Sequence, residues 1–172
     1  MLPDKRYENL VKIYEPKSKV PAAITVWDIA GLVAGASEGK GLGNAFLSNI
    51  MRCDGIYHVV RAFTDEDVIH EEGNVDPCRD MDIIQGELIA KDLQMLEKTI
   101  SGLEEVIRRK NPKSAVDELE IARKVEEMLK AGKAVRDTEW SNKDVEWLNT
   151  QFFLTAKPVV YLVNIGAKEY IT

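Results

Sequence analysis

Ala22-Ala23-Ile24-Thr25-Val26-Trp27-Asp28-Ile29-Ala30-Gly31 is the stretch whose reading decides the fold. Its apolar run does not alternate strictly with polar residues, the pattern of a strand covered on both faces in an α/β sheet. Asp28 ends the run, and a carboxylate at the carboxyl end of such a strand stands where α/β sheets gather their ligands. Two further runs, Ile56 to Arg61 and Pro158 to Asn164, have the same buried-strand character, so three strands of a parallel sheet are predicted. Upstream, Leu10 to Tyr14 reads as a short strand. Glu15-Pro16-Lys17-Ser18-Lys19 would turn it back, antiparallel, toward the Ala22 run.

Working outward, Asn44 to Met51 reads as a short helix after a glycine-rich loop, which completes a strand, helix, strand crossover. The next connection, Phe63 to Pro158, is far longer than an ordinary crossover and is mostly helical in period, so it reads as an insertion. Asp76-Pro77 can cap and begin a helix, and Leu96, Ile100, Leu103 and Ile107 form a seam along it. Asn111-Pro112 breaks the pattern. Val116, Leu119, Ala122, Val125 and Leu129 make a second stripe that Gly132 stops, which predicts an antiparallel helical hairpin. Ser141 is placed to cap a last helix through Leu148.

Composition narrows the classes. With 45% hydrophobic and 30% charged residues in 172, the chain reads as one ordinary globular domain rather than a disordered or membrane-spanning one. No apolar run follows the charges near Met1, so no secretory signal is expected and a cytoplasmic location follows by default. A net charge of −6 argues against a general grip on DNA. Cys53 and Cys78 are too far apart for a metal pair, and His58 and His70 lack partners at ligand spacing, so zinc is not expected.

Asp28-x-x-Gly31 is the element that carries chemistry. In phosphoryl-transfer switches such an aspartate orients Mg²⁺, commonly through water, and the glycine amide senses the terminal phosphate. The bland alternative is an aspartate that merely caps a loop. The loop from Gly31 to Gly43 is not a phosphate cradle: the P-loop pattern needs glycine where Ala34 stands and Ser or Thr where Gly41 stands. The dinucleotide pattern needs glycine at Asn44. Its glycines instead suit a segment that reorders with a phosphate, or an ordinary flexible loop.

Asp28-Ile29-Ala30-Gly31-Leu32-Val33, Gly39 to Ser48, Cys53-Asp54-Gly55, Arg61-Ala62-Phe63 and Val75-Asp76-Pro77 together resemble the YchF or Obg-like ATPase family, over essentially the whole chain. The resemblance implies a Ras-like P-loop NTPase G domain of α/β class with an inserted helical hairpin or coiled coil. In complete members a TGS domain follows. It also implies hydrolysis of ATP or GTP with Mg²⁺, and association with ribosomes. Leu32 then stands where Ras-type enzymes keep the glutamine that orients water, beside Gly31 as the phosphate sensor. Asn164 and Ile165, in Asn164-Ile165-Gly166-Ala167-Lys168, match the base-recognition motif and would hold the purine. Ala167 replaces the family's usual acidic residue, which leaves the ATP or GTP preference open. Asn164 also has the simpler reading of a turn residue after its strand.

The resemblance implies three segments: 1–75 as partial nucleotide-binding domain with switch II, 76–140 as helical insertion, and 141–172 as the return with the final strand. No P-loop lysine, first-switch threonine or TGS domain falls within these residues, so an incomplete G domain without its first strand is expected. That strand would lie between those ending at Asp28 and containing Val59, and its absence would open the sheet to association. Hydrolysis is then expected to be impaired. Two alternatives stay open: a non-catalytic module that binds ribosome or protein through the hairpin, and a nucleic-acid reader using Arg108-Arg109-Lys110 and Lys113 at the hairpin tip. No membrane partner and no specific DNA are expected.

Overall fold

A computed structural model describes residues 3–28, 50–70, 72–110 and 112–171. The loop from Gly31 to Gly43, most of the helix expected over Asn44 to Met51, and Asn111 lie outside the described residues. The chain divides into two units, Met1–Ala30 and Gly31–Thr172.

In the first unit, Lys5–Tyr14 forms helix α1. The strand expected over Leu10 to Tyr14 is therefore wrong. A five-residue apolar window cannot separate strand from helix, whereas the longer window places Tyr7, Leu10, Val11 and Tyr14 at helical spacing. Asp4 supplies the decisive local signal, since its carboxylate accepts the Arg6 amide at 2.8 Å and caps the first turn. Glu15 closes the helix in the left-handed region (φ 40°), and Pro16 follows where the helix cannot continue. Ala22 to Trp27 forms no strand ladder among the described residues, and Ile24, Val26 and Trp27 are exposed, so the expected buried strand is also not found. An apolar run becomes a strand only when a neighbour pairs its amides and carbonyls, and the neighbour predicted for it is a helix.

The second unit follows the sequence closely. Strand β1, Ile56–Arg61, and strand β2, Val159–Asn164, pair in parallel with Ile56 opposite Val159 and Arg61 opposite Asn164. These are the only two strands among the described residues, so the third expected strand is absent from them. Gly55 lets the chain pass close to Pro158, because a Cβ there would meet the Pro158 carbonyl at 3.3 Å. Lys157 ties the approaches to both strands together, donating to the carbonyls of Met51 (3.1 Å) and Cys53 (2.6 Å).

Between the strands, α2 (Pro77–Lys110) and α3 (Lys113–Lys130) make the predicted antiparallel hairpin. Asp76 accepts the Arg79 amide at 3.1 Å, and Pro77 occupies the first helical position, which needs no amide partner. At 34 residues, α2 is about 50 Å long. Leu96, Ile100, Ala122, Val125 and Leu129 are buried between the two helices with Ile89 and Ile121, while Leu103 and Leu119 pack on the margin. Gly132 ends α3 with φ 77°, a conformation side chains resist. Ser141 caps α4 (Asn142–Gln151) through a reciprocal pair with Asp144. Trp147, Leu148 and Phe153 complete the hairpin core. A short helix, α5 (Ala167–Ile171), follows β2. No described helix is long and apolar enough to cross a membrane.

One polar group sits inside this core. Asp92, fully buried on α2, accepts the amides of Leu154 and Thr155 at 2.8 Å each and the Thr155 hydroxyl at 2.7 Å. Burial pushes its carboxyl above the usual range, against the pull of the three hydrogen bonds and Lys157. The Thr155 hydroxyl in turn accepts the Val135 amide at 3.3 Å, so one carboxylate fastens the long helix to the turn that feeds β2.

Candidate functional site at the carboxyl end of the sheet

Parallel pairing brings the carboxyl ends of β1 and β2 to one edge, and Arg61 and Asn164 stand side by side there. The Asn164 carbonyl is used by the ladder, accepting the Ala62 amide at 2.8 Å. Its side chain is exposed, as is Ile165, so both are accessible to a ligand at the strand end. The Gly166 carbonyl accepts the Tyr170 amide at 3.2 Å, which turns the chain into α5 immediately behind them.

Arg61 organises the opposite side of this edge. Its guanidinium donates to the carbonyls of Phe63 (3.1 Å), Val68 (3.0 Å) and Asp65 (3.3 Å), and lies 4.6 Å from the Phe63 ring centroid. Five fixed donors on a plane suit such a fan of carbonyls better than an ammonium would. The segment beyond β1 is thus held by a side chain of β1 itself. Farther along, His70 Nδ1 accepts the Glu72 amide at 3.1 Å, so Nε2 carries the proton donated to Asp80 at 2.8 Å. Arg79 bridges Asp80 (3.0 Å) to Asn74 (2.6 Å) and fixes the entry to α2.

Of the residues expected to form a site, Asn164 and Ile165 are together at the sheet edge. Asp28, an exposed carboxylate, belongs to the first unit. Gly31 and Leu32 lie outside the described residues. No three His, Cys, Asp or Glu side chains among the described residues are grouped to hold a metal. His58, on β1, packs on the Tyr161 ring at 5.4 Å, and burial lowers its pKa. Sequence reasoning quoted Arg61 only as part of a motif and missed its clasp. An arginine two residues before an aromatic residue at a strand end is the only signal for it.

Residues 6–97 match the family model described as 50S ribosome-binding GTPase. The chain is 51% identical over 168 residues to Obg-like ATPase 1 of Caenorhabditis elegans and 49% identical over 172 residues to Obg-like ATPase 1 of Homo sapiens. It belongs to the YchF/Obg-like ATPase family. The Schizosaccharomyces pombe YchF GTPase structure superposes with a TM-score of 0.78 at 47% identity, covering 99% of this chain. The fold is accordingly the α/β G domain of Ras-like P-loop NTPases with an inserted helical hairpin. The chain spans less than half the length of these relatives: 42% of the worm protein, 43% of the human one and 46% of the yeast structure.

Proposed function

We propose that this chain carries part of the purine-nucleotide site of a YchF-type nucleoside-triphosphatase, which hydrolyses ATP or GTP with Mg²⁺ in the cytoplasm and works in association with the ribosome. The supporting observation is the accessible Asn164 side chain and Ile165 at the carboxyl edge of a parallel sheet, beside a segment locked by Arg61. Asn164 offers both a donor and an acceptor to a base edge, and Ile165 an apolar surface to its ring. Asp28 would hold Mg²⁺ through water. An exposed carboxylate fits that ion, which commonly takes one or two protein carboxylates and fills its sphere with water and phosphate oxygens. Gly31 would sense the terminal phosphate. Leu32 would pack beside the attacking water rather than orient it, so the water must be positioned by other groups.

Within the protein, we assign residues 1–75 and 141–172 to the nucleotide-binding domain and 76–140 to the insertion. The helix caps at Asp76 and Ser141 support both boundaries. Trp147, Leu148 and Phe153 bind the insertion's core to the returning segment.

Calorimetric titration of the 172-residue chain with ATP, GTP and CTP in Mg²⁺ tests the reading. Purines should bind in preference to CTP, and Asn164→Ala should erase that preference. Equal heats for purine and pyrimidine would overturn it. A second reading, a non-catalytic module binding ribosome or protein through the hairpin, draws on the concentration of buried apolar residues there. It predicts ribosome co-sedimentation with no nucleotide heat at all.

A further inference from the structure

The far end of the hairpin breaks local helix rules in one place. Between Val106 and Val116 the sequence carries Arg108, Arg109, Lys110 and Lys113 and no acid, in a chain whose net charge is −6. The three cations that close α2 are ordinary there, because they face the negative end of its dipole. Lys113 is not. It opens α3 at the positive end of that helix's dipole, the first turn holds no acid, and Pro112 provides no side-chain cap. A cation in an uncapped first turn costs helix stability, and the Asp117 carboxylate one turn on, which attracts it, is already paired with Lys143. Such a conflict between local rule and sequence is expected where a surface serves something else.

The surroundings cancel only part of this charge. Glu105 pairs with Arg109, and Glu104 pairs with Arg123 at 2.5 Å. Arg108, Lys110 and Lys113 are exposed and make no ion pair among the described residues. Ile100 is the last buried residue of α2, so the ten residues after it carry Arg108 and Lys110 up to about 15 Å beyond the tightly packed part of that helix. From Arg108 to Ser114 the described residues include no large apolar side chain to enter a bilayer, which favours a phosphate backbone over a lipid surface.

The geometry points to the hairpin tip as a docking point for the phosphate backbone of structured RNA, with Arg108, Lys110 and Lys113 each meeting phosphate oxygens. This rests on the ribosome association proposed above and names the atoms that would make it. With the rest of the chain acidic, binding is local and has a small electrostatic footprint. Three or four phosphate contacts predict a slope of log K against log salt of about −3.

The test is fluorescence anisotropy of a labelled RNA stem-loop with the 172-residue chain, starting at about 50 mM salt, where such contacts are strong. Wild type should bind with that slope. The triple variant Arg108→Glu, Lys110→Glu, Lys113→Glu should bind at least about tenfold more weakly at unchanged helix content. Lys113→Glu alone should weaken binding while melting within about 2 °C of wild type, because the carboxylate suits the dipole but loses the attraction to Asp117. A loss of affinity at unchanged stability is not expected of a merely structural lysine. Equal RNA affinity in wild type and the triple variant would overturn the proposal. So would tighter binding to phosphatidylserine vesicles than to RNA, or no RNA binding by a chain that still discriminates purines in the calorimeter. In the last case the nucleotide reading stands and the tip reading falls.

Discussion

Replacing Asp92 with alanine should unfold the second unit more readily by about 3–5 kcal/mol, the range for removing one partner from a buried charged network. The figure follows from what is left behind. Two amides, of Leu154 and Thr155, and one hydroxyl lose a buried acceptor. Each stranded donor costs about 1–3 kcal/mol. Relief of the buried charge offsets part of that sum, since burial already raises the carboxyl's pKa. At about 2–4 °C per kcal/mol for a domain of this size, the melting temperature should fall by roughly 10 °C. Urea unfolding followed by tryptophan fluorescence reads the loss directly, because Trp147 and Trp140 lie in or against the core. Asp92→Asn adds a check on sign. A carboxyl raised in the folded state binds its proton more tightly there than in the unfolded chain, so its stabilisation is fully present in acid below the unfolded value and is lost as pH rises through the raised folded value. The stability difference between wild type and Asp92→Asn should therefore shrink as pH rises from about 4 toward neutrality. A loss below about 1 kcal/mol for alanine, or a difference that widens with pH, would refute the account of Asp92 as a buried clasp.

Two glycines should respond oppositely to the same change. Gly102→Ala, inside α2 with open space around a new Cβ, should stabilise by about 0.5–1 kcal/mol, whereas Gly132→Ala at φ 77° should cost about 1–2 kcal/mol, both read from thermal melts. Arg61→Met should speed amide exchange across residues 62–69 while leaving the hairpin helices protected, since the guanidinium's fan of carbonyl bonds is what holds that segment. Tyr57, Val59, Val160, Leu162 and Val163 are exposed on a sheet that has two strands among the described residues, so the 172-residue chain should associate; a sharp monomer in light scattering would contradict this.

The hairpin was legible because its signals are local and mutually consistent: apolar residues three and four apart, Gly132 after the last of them, and Ser141 three residues before Asp144. The parallel pair was legible for the same reason, as two β-branched runs each long enough for a strand. Leu10 to Tyr14 failed because the window was short and the capping Asp4 lay outside it. Ala22 to Trp27 failed because strand identity is conferred by a partner, which propensity does not report. Asp92 carried a readable hint that went unused. It falls three residues after Ile89 and four before Leu96, on the buried stripe itself, where an acid demands a partner. What it binds, sixty residues away in sequence, no spacing rule reveals. Half of the candidate site, Asn164 and Ile165, could be placed from the strand end, while Arg61's role depends on backbone carbonyls that side-chain identities do not encode.

The Asp92 clasp also bears on the order in which the chain folds. Residues 62–158 separate β1 from β2, and closing so long a loop before any contact rewards it is slow. The hairpin needs only near neighbours in sequence and can form early. Once Asp92 holds Leu154 and Thr155, the loop still to be closed shortens to the segment before Asp92 plus a few residues ahead of β2, which lowers the entropy cost by about 1 kcal/mol. On this account the insertion acts as a splint during folding: an excursion that looks as if it interrupts the sheet is what brings its two strands within reach of each other.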